Sequence, residues 1–491
     1  MPELNDLAAL VRSRIPIIVI ESREEFRITE MLKLISASLS LRLFKWSYTD
    51  GLRLVSGGSE SNEGVLEPTE VLRRIWSVKT PGVFLLYDFH PFLSDPRNVR
   101  LLKDIGQGAQ TDKQSLVLLS YQIEIPEEIK HLTARFEVRL PDEAGLTTIV
   151  NDVIKRLSAD YPKAPIKVDD TAVKLLIKNL NGLSASEAEQ IAKKAIRNQA
   201  ITVESLPDVE KAKYELLNRG GVIYFEYGTK QFSDIGGFKL LKKWLDQRRG
   251  VFIGEQKLPN EDLPKGILLL GVQGSGKSLA AKTVAGSWEV PLLRLDFGAL
   301  YDKYYGETER KTRESLKMAE TMAPCVLWLD ELEKGVATGE GDGGVSRRVL
   351  GTLLAWMSER KSAVFIAATA NDIQALPPEL MRKGRFDEIF FVDLPDADVR
   401  KEIFAIHLKR RGLSPEEFNL DVLAEASEGF SGAEIEQAIV SGLYSMIGGA
   451  GNLTMTILLD QLKTTRPLSV IMAEQVESLR EWAKDRTVPV N

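Results

Sequence analysis

One cysteine, Cys325, in 491 residues leaves no internal disulfide to form, which fits a reducing compartment. Three histidines beside that cysteine are too few for a zinc cluster, and no two histidines flank a glutamate as a metalloprotease helix requires. Apolar runs stay short. Ile15 to Ile20 is typical of the longest, far below the roughly 18 residues that cross a bilayer, so no membrane span is expected. The opening residues carry Glu3 and Asp6 and lack the pattern of a secretory leader. A cytosolic or stromal setting is therefore expected, in which the acceptor triplet Asn452-Leu453-Thr454 would stay unmodified. The net charge of −6 is spread along the chain with no long basic run, so no nucleic-acid surface is expected.

What is present is ordinary globular composition, 44% apolar and 27% charged, at a length that calls for two or more domains. Short apolar runs alternate with longer stretches of helical period, the pattern of parallel sheets covered by helices. In the second half, strands are predicted at Gly266 to Gly271, Leu292 to Leu295, Cys325 to Leu329 and Val364 to Thr369. Helices are predicted at Lys277 to Trp288, Glu307 to Thr321 and Ser346 to Ser358. After Pro395 the period is helical almost to the end, the mark of a separate helical lid. The expected division is a first domain over 1–203, a linker over 204–232, a large domain over 233–395 and the lid over 396–491. Leu206-Pro207 and Gly220-Gly221 break the pattern in the linker.

The first half follows the same plan, with a strand at Ile15 to Ile20 and a helix at Phe26 to Leu39. Val83-Phe-Leu-Leu-Tyr-Asp88 echoes Val326-Leu-Trp-Leu-Asp330. Arg135-Phe136-Glu137 and then Leu140-Pro141-Asp142 echo Arg385-Phe386-Asp387 and Leu394-Pro395-Asp396. Gly182-Leu-Ser-Ala-Ser-Glu-Ala-Glu-Gln190 echoes Gly429-Phe-Ser-Gly-Ala-Glu-Ile-Glu-Gln437. The order is the same in both halves, so a diverged internal duplication is expected, against chance likeness between two α/β domains.

The chemistry is concentrated in two motifs. Gly271-Val-Gln-Gly-Ser-Gly276-Lys277-Ser278 matches the phosphate loop G-x-x-x-x-G-K-[ST] between a predicted strand and a predicted helix. Its glycines let backbone N–H groups turn toward phosphate oxygens, Lys277 adds a point charge, and Ser278 offers a hydroxyl to Mg²⁺. The expected nucleotide contacts are Gly271, Gln273, Gly274, Ser275, Gly276, Lys277, Ser278 and Leu279. Asp330-Glu331 ends a strand 53 residues after Lys277, putting two carboxylates at the ligand-binding edge of a parallel sheet. Asp330 would complete the Mg²⁺ shell, and Glu331 would orient or deprotonate the attacking water. By contrast, Gly339, Gly341 and Gly344 spell a weak G-x-G-x-x-G that lacks a preceding strand and fits a plain glycine loop.

At these residues the chain resembles the AAA ATPases, the protein-remodelling branch of the AAA+ superfamily, over about 232–485. The resemblance implies ATP or ADP with Mg²⁺ as ligands, a parallel-sheet α/β P-loop domain with a helical lid, and ATPase activity at the subunit interfaces of a ring. Asp234-Ile235-Gly236-Gly237 resembles the segment beside adenine. Asn371 resembles the polar sensor of the attacking water, and Arg382 and Arg385 resemble arginine fingers that reach a neighbouring subunit. Gly432-Ala433 resembles the lid position where this branch lacks a sensor arginine, and Tyr304-Tyr305-Gly306 resembles an aromatic pore loop that grips a protein substrate. The segment Leu332-Glu333-Lys334-Gly335 departs from the usual Ile-Asp and small residue, which puts neighbour contacts in doubt. The whole pattern, a degenerate AAA-like half joined to one intact AAA module, resembles the divergent AAA family of cyanobacteria and algal plastids. That likeness implies a homo-oligomer (a hexamer by the family's habit), a plastid-stromal or cyanobacterial cytosolic setting, and a regulatory link to photosynthetic carbon use.

The first copy lacks the chemistry. Glu21-Ser22-Arg23-Glu24 stands where a glycine loop would be, and Phe89 follows Asp88 where a second carboxylate is wanted. That half is expected neither to hydrolyse nor to bind ATP. His90, His131 and His407 are assigned no role. A rival from another class stays open: a nucleotide-gated binding protein in which slow hydrolysis serves as a timer. A nucleic-acid motor is the weaker third possibility.

Overall fold

The computed structural model describes residues 2–491 apart from 57–63, 65–66, 78–80, 161–166, 197–199, 203–204, 219–220, 228, 257, 260–261, 301–306, 337–343, 383 and 448–452. Its chain packs as two units, Met1–Val153 with Leu183–Gln190, and Ile154–Gly182 with Ile191–Asn491.

The first unit holds β1 (Ile17–Glu21), β2 (Arg42–Ser47), β3 (Gly51–Ser56), β4 (Gly82–Tyr87), β5 (Gln114–Ser120) and β6 (Thr133–Phe136). They lie in the order β3-β2-β4-β5-β1-β6, with β2 and β3 antiparallel and the other pairs parallel. In the second unit β7 (Lys167–Val168) pairs with β8 (Ala200–Ile201). Its large sheet comprises β9 (Ile223–Phe225), β10 (Gly266–Gly271), β11 (Leu292–Leu295), β12 (Cys325–Leu329), β13 (Val364–Ala370), β14 (Glu388–Val392) and β15 (Val488–Pro489). The order is β15-β14-β10-β13-β12-β11-β9, with only β9 antiparallel to its neighbour. The run Ile267-Leu-Leu-Leu270 is apolar at every position because both faces of the sheet are covered. Successive side chains alternate: Leu268 and Leu270 join Leu327 and Ile366 on one face, and Ile267 and Leu269 join Trp328 and Phe365 on the other. On that second face Trp288 packs on Phe252 and Phe365 with ring centroids 4.8 and 4.7 Å apart. Truncating Phe365 to alanine would cost about 3–5 kcal/mol.

The two units share a topology. With β3 set aside, β2-β4-β5-β1-β6 and β11-β12-β13-β10-β14 are the same permutation of five parallel strands. Two of the sequence echoes are matched in detail. Asp142 accepts the N–H of Gly145 and Asp396 that of Val399, both at 2.9 Å, so each Leu-Pro-Asp caps the helix that follows the last parallel strand. Ser184 with Glu187 and Ser431 with Glu434 form the same capping arrangement, each Ser hydroxyl donating to its Glu at 2.8 Å. The Arg-Phe echo is not matched, because Arg135 and Phe136 lie inside β6 whereas Arg385 and Phe386 precede β14. The Asp88 pairing shifts by one. Asp88 and Glu331 share a left-handed backbone, φ 47° and 48°, so Asp88 answers to Glu331 and Tyr87 to Asp330.

Beyond Pro395 come the helices Ala397–Arg410, Leu420–Ala426, Gly432–Ile447 and Met455–Thr464, with a core of their own around Phe404, Leu408, Ile435 and Leu458. The helical period does not run out in a helix. After Ala473–Ala483 the chain returns to the large sheet as β15, beside β14. No helix among the described residues is long and apolar enough to cross a membrane.

Candidate functional site

A cavity of about 600 Å³ opens at the C-terminal edge of β10, β12 and β13, beneath the helices that follow Pro395. This is the edge at which open parallel sheets receive ligands. Gly271 ends β10 so close to β14 that a Cβ there would lie 2.0 Å from the Val392 carbonyl oxygen. The loop then turns through Gly274 and Gly276 at φ 77° and 96° and enters the helix Lys277–Trp288. The first-turn N–H groups of that helix, which no intrahelical carbonyl can satisfy, therefore lie at the loop. Ser275 Oγ is buried there without a hydrogen-bond partner.

Lys277 is 6% exposed and donates to the carbonyls of Gly271 at 2.8 Å and Val272 at 2.7 Å. Burial pulls its pKa down to about 8, against the opposing fields of Glu333, Asp330 and Glu331. A hydrogen-bonded chain runs from the helix to the sheet edge. Ser278 Oγ donates to Asp330 Oδ1 at 2.9 Å, and Thr369 Oγ1 donates to the same oxygen at 2.7 Å. Thr369 Oγ1 in turn accepts the Glu331 N–H at 2.9 Å. Glu331 Oε1 accepts Asn371 Nδ2 at 3.2 Å, while its Oε2 pairs with Lys334 Nζ at 2.6 Å. The Asn371 N–H is held by Glu333 Oε1 at 3.0 Å, and the other Glu333 oxygen is buried with no partner.

The opposite wall comes from Asp234, Ile235, Gly236 and Phe238 and from the helices after Pro395. A Cβ on Gly236 would lie 3.0 Å from Ile403 Cγ1, and the Ala433 N–H donates to the Gly274 carbonyl at 3.3 Å. Thus Ile235, Gly236, Gln273, Gly274, Ser275, Gly276, Lys277, Ser278, Leu279, Asp330, Glu331, Asn371, Gly432 and Ala433 all meet at one cavity. Gly271 does not line it but sets where the loop begins. Arg382 and Arg385 stand away from it: Arg382 is exposed, and the Arg385 guanidinium donates to the Leu354 carbonyl. Tyr304, Tyr305 and Gly306 lie outside the described residues, as do Gly339 and Gly341.

Several contributors carried no signal in the sequence. Thr369 sits two residues before Asn371 on β13, and Phe238 follows the glycine pair of the 234–237 segment. His407 lines the cavity, where burial pushes its pKa down while Glu436, 3.3 Å away, pulls the other way. The constellation fits a polyphosphate. It offers a glycine cradle, a buried lysine, a helix N-terminus and an unanswered serine hydroxyl. It also fits Mg²⁺: Ser278 Oγ and Asp330 are hard oxygen donors that leave further positions to phosphate oxygens and water. Among the described residues no group of three or more His, Cys, Asp or Glu could hold a metal by itself.

The corresponding edge of the first unit is closed by its own side chains. Glu21 accepts the Ile123 N–H at 2.8 Å and pairs with Arg135 at 2.7 Å. Glu24 is 8% exposed, accepts the Ser186 N–H at 3.2 Å and pairs with Arg27 at 2.8 Å, and Arg27 also reaches Glu3 at 2.5 Å. Asp88 accepts from Ser120 Oγ at 2.8 Å. Carboxylates thus replace the backbone donors that a phosphate would need.

Three family models match the chain. Residues 267–394 match the ATPase family associated with various cellular activities (AAA). Residues 4–138 match the N-terminal domain, and 144–220 the second domain, of SpoVK-like AAA ATPases. The AAA domain-containing protein ycf46 of Pyropia yezoensis is 36% identical over 98% of this chain and 97% of its own. That of Guillardia theta is 34% identical over 98% and 95%. The proteasome-activating nucleotidase of Aeropyrum pernix is 31% identical over 60% of this chain and 76% of its own. The chain therefore belongs to the AAA ATPase family, with ycf46 proteins as relatives over nearly their full length and SpoVK-like AAA domains ahead of its AAA domain.

Proposed function

We propose that the chain binds ATP in this cavity and hydrolyses it at the interface between subunits of a ring, probed below by its concentration dependence. The observation that carries the reading is the hydrogen-bonded chain Ser278–Asp330–Thr369–Glu331–Asn371 beside the phosphate loop. Lys277 would exchange its two loop carbonyls for the outer phosphates, regaining a full countercharge. Mg²⁺ bound by Ser278 and Asp330 would neutralise charge on the outer phosphates. Glu331, oriented by Asn371, would align the attacking water and take its proton. Ile235 and Gly236 would border the base, with Gly432 and Ala433 closing from the lid side. Arg382 and Arg385 would act on a neighbouring subunit's site, which agrees with their distance from their own cavity.

The work done is remodelling or threading of a protein partner by the Tyr304-Tyr305-Gly306 loops in a hexamer. Similarity to a proteasome-activating nucleotidase supports a protein partner, and the ycf46 relatives support a plastid or cyanobacterial setting. A regulatory link to carbon use rests on that resemblance alone. One observation favours the nucleotide-gated rival: Glu331 is engaged by Lys334, three residues on, where it would have to be freed to reach water. Steady-state ATPase activity against protein concentration, for wild type and Glu331→Gln, tests the reading. Specific activity that rises with concentration and vanishes in the variant supports it. A wild type as inactive as the variant, yet still binding ATP, hands the case to the rival.

A further inference from the structure

The helix Lys239–Phe252 begins directly behind the cavity wall and has no side-chain cap of its own. Phe238, which precedes it, is in the left-handed region at φ 62°. A helix start leaves its first-turn N–H groups without intrahelical acceptors. Here those of Lys239, Leu240 and Leu241 are answered from a distant part of the sequence. The Val490 carbonyl accepts Leu240 N–H at 2.9 Å and Leu241 N–H at 3.3 Å. Asn491 Oδ1 accepts Lys239 N–H at 3.4 Å. The same Oδ1 lies 2.9 Å from where a Cβ on Gly237 would project, so it fills the space that this glycine, at φ 77°, leaves open.

The contact is anchored on both sides. Val488 and Pro489 are in register with Phe390 and Phe391 of β14. Val490 is 4% exposed in the same apolar cluster as Ile235, Phe238 and Leu241. Ile235 and Phe238 are themselves wall residues of the cavity, and a Cβ on Gly276 would lie 3.6 Å from the Phe238 ring. The Gly237 N–H is held by Glu402 Oε2 at 2.8 Å, from the helix Ala397–Arg410.

We infer that residues 488–491 are a positioning element for the nucleotide site, capping the Lys239–Phe252 helix from afar and so fixing the turn that carries Ile235, Gly236 and Phe238. The inference rests on the nucleotide reading proposed above. None of the four residues reaches the hydrogen-bonded chain around Glu331, so their loss weakens the grip on nucleotide and spares the chemical step.

The test uses the full chain with residues 490–491 deleted, and with Asn491→Ala and Asn491→Asp. Each is assayed for binding of a fluorescent N-methylanthraniloyl ADP and for steady-state ATPase activity. Deletion is expected to raise the Kd about tenfold and Asn491→Ala about threefold, by analogy with lost helix caps. The kcat at saturating ATP stays within about twofold, and Asn491→Asp, which keeps the acceptor oxygen, binds like wild type. Circular dichroism establishes that the deletion variant is folded; if it is not, the Asn491→Ala and Asn491→Asp pair decides. Folded variants with wild-type Kd overturn the inference, as does a loss of kcat at unchanged Kd. A wild-type chain that binds no nucleotide refutes the proposed function itself, a separate result from binding that ignores residues 490–491.

Discussion

Replacing Lys213 with methionine loosens the 170–181 segment from the helix Glu307–Thr321. Lys213 is 2% exposed, and its ammonium group donates to three carbonyls: Asn179 at 2.7 Å, Asn181 at 2.8 Å and Thr321 at 2.5 Å. Three N–H bonds meet three acceptors, two of them at the C-terminal ends of helices, where a cation is favoured. The cost is visible too, because burial lowers the Lys213 pKa from 10.5 to about 8, a penalty of about 3 kcal/mol on the charged form. Methionine relieves that penalty but takes the shared donor away from three carbonyls, at about 1–3 kcal/mol each. The net loss is about 3 kcal/mol, or roughly a hundredfold in a local opening equilibrium. Hydrogen exchange read by mass spectrometry should show that loss of protection in the helix Asp170–Asn179. Lys178→Met is the control: Lys178 donates to the Ile253 carbonyl at 2.6 Å but is exposed, so its loss should change exchange by less than about threefold. Equal protection in wild type and Lys213→Met would refute the reasoning.

Other consequences can be checked together. Gly271→Ala should abolish nucleotide binding and lower the melting temperature, because its methyl would collide with the Val392 carbonyl; retained binding in a titration would contradict this. Lys334→Ala should raise kcat at saturating ATP about twofold with KM unchanged, by releasing Glu331 from its exposed ion pair. Glu210, whose pKa burial raises from 4.5 to about 7, binds its proton more tightly in the folded chain than in the unfolded one. Its contribution to stability is therefore full below pH 4.5 and lost as pH rises to about 7, up to about 3 kcal/mol. Glu210→Gln should flatten the pH dependence of the urea midpoint over that window.

The large sheet was legible where a run is apolar at every position and bounded by motif residues, as in Ile267 to Leu270 and Cys325 to Leu329. The predicted strand Cys325 to Leu329 and helix Lys277 to Trp288 match the observed elements residue for residue. The cavity was legible wherever chemistry fixes residue type, as in Gly271 to Ser278 and Asp330-Glu331. Thr369 and Glu333 were not, since a threonine in a strand and a glutamate in a short helix carry no chemical signature until the fold sets them against Asp330 and Asn371. The shifted pairing of Asp88 with Glu331 lay in a backbone angle that side-chain patterns do not encode. Nor could Val488-Pro489 be assigned to the sheet, because the short stretch Val-Pro-Val-Asn after a helix has no period to read.

The closed edge of the first unit has a thermodynamic corollary. A ligand that binds only the folded state stabilises it by mass action, in proportion to the logarithm of its concentration above Kd. With nucleotide bound as proposed, the second unit would draw on that reservoir, and its resistance to unfolding would follow the cell's nucleotide pool. The first unit carries its countercharges within itself, Arg27 between Glu3 and Glu24 and Arg135 against Glu21. If no nucleotide binds there, as its sequence leads one to expect, its stability would not follow that pool. One polypeptide would thus join a half whose persistence is inherited to a half whose persistence is conditional.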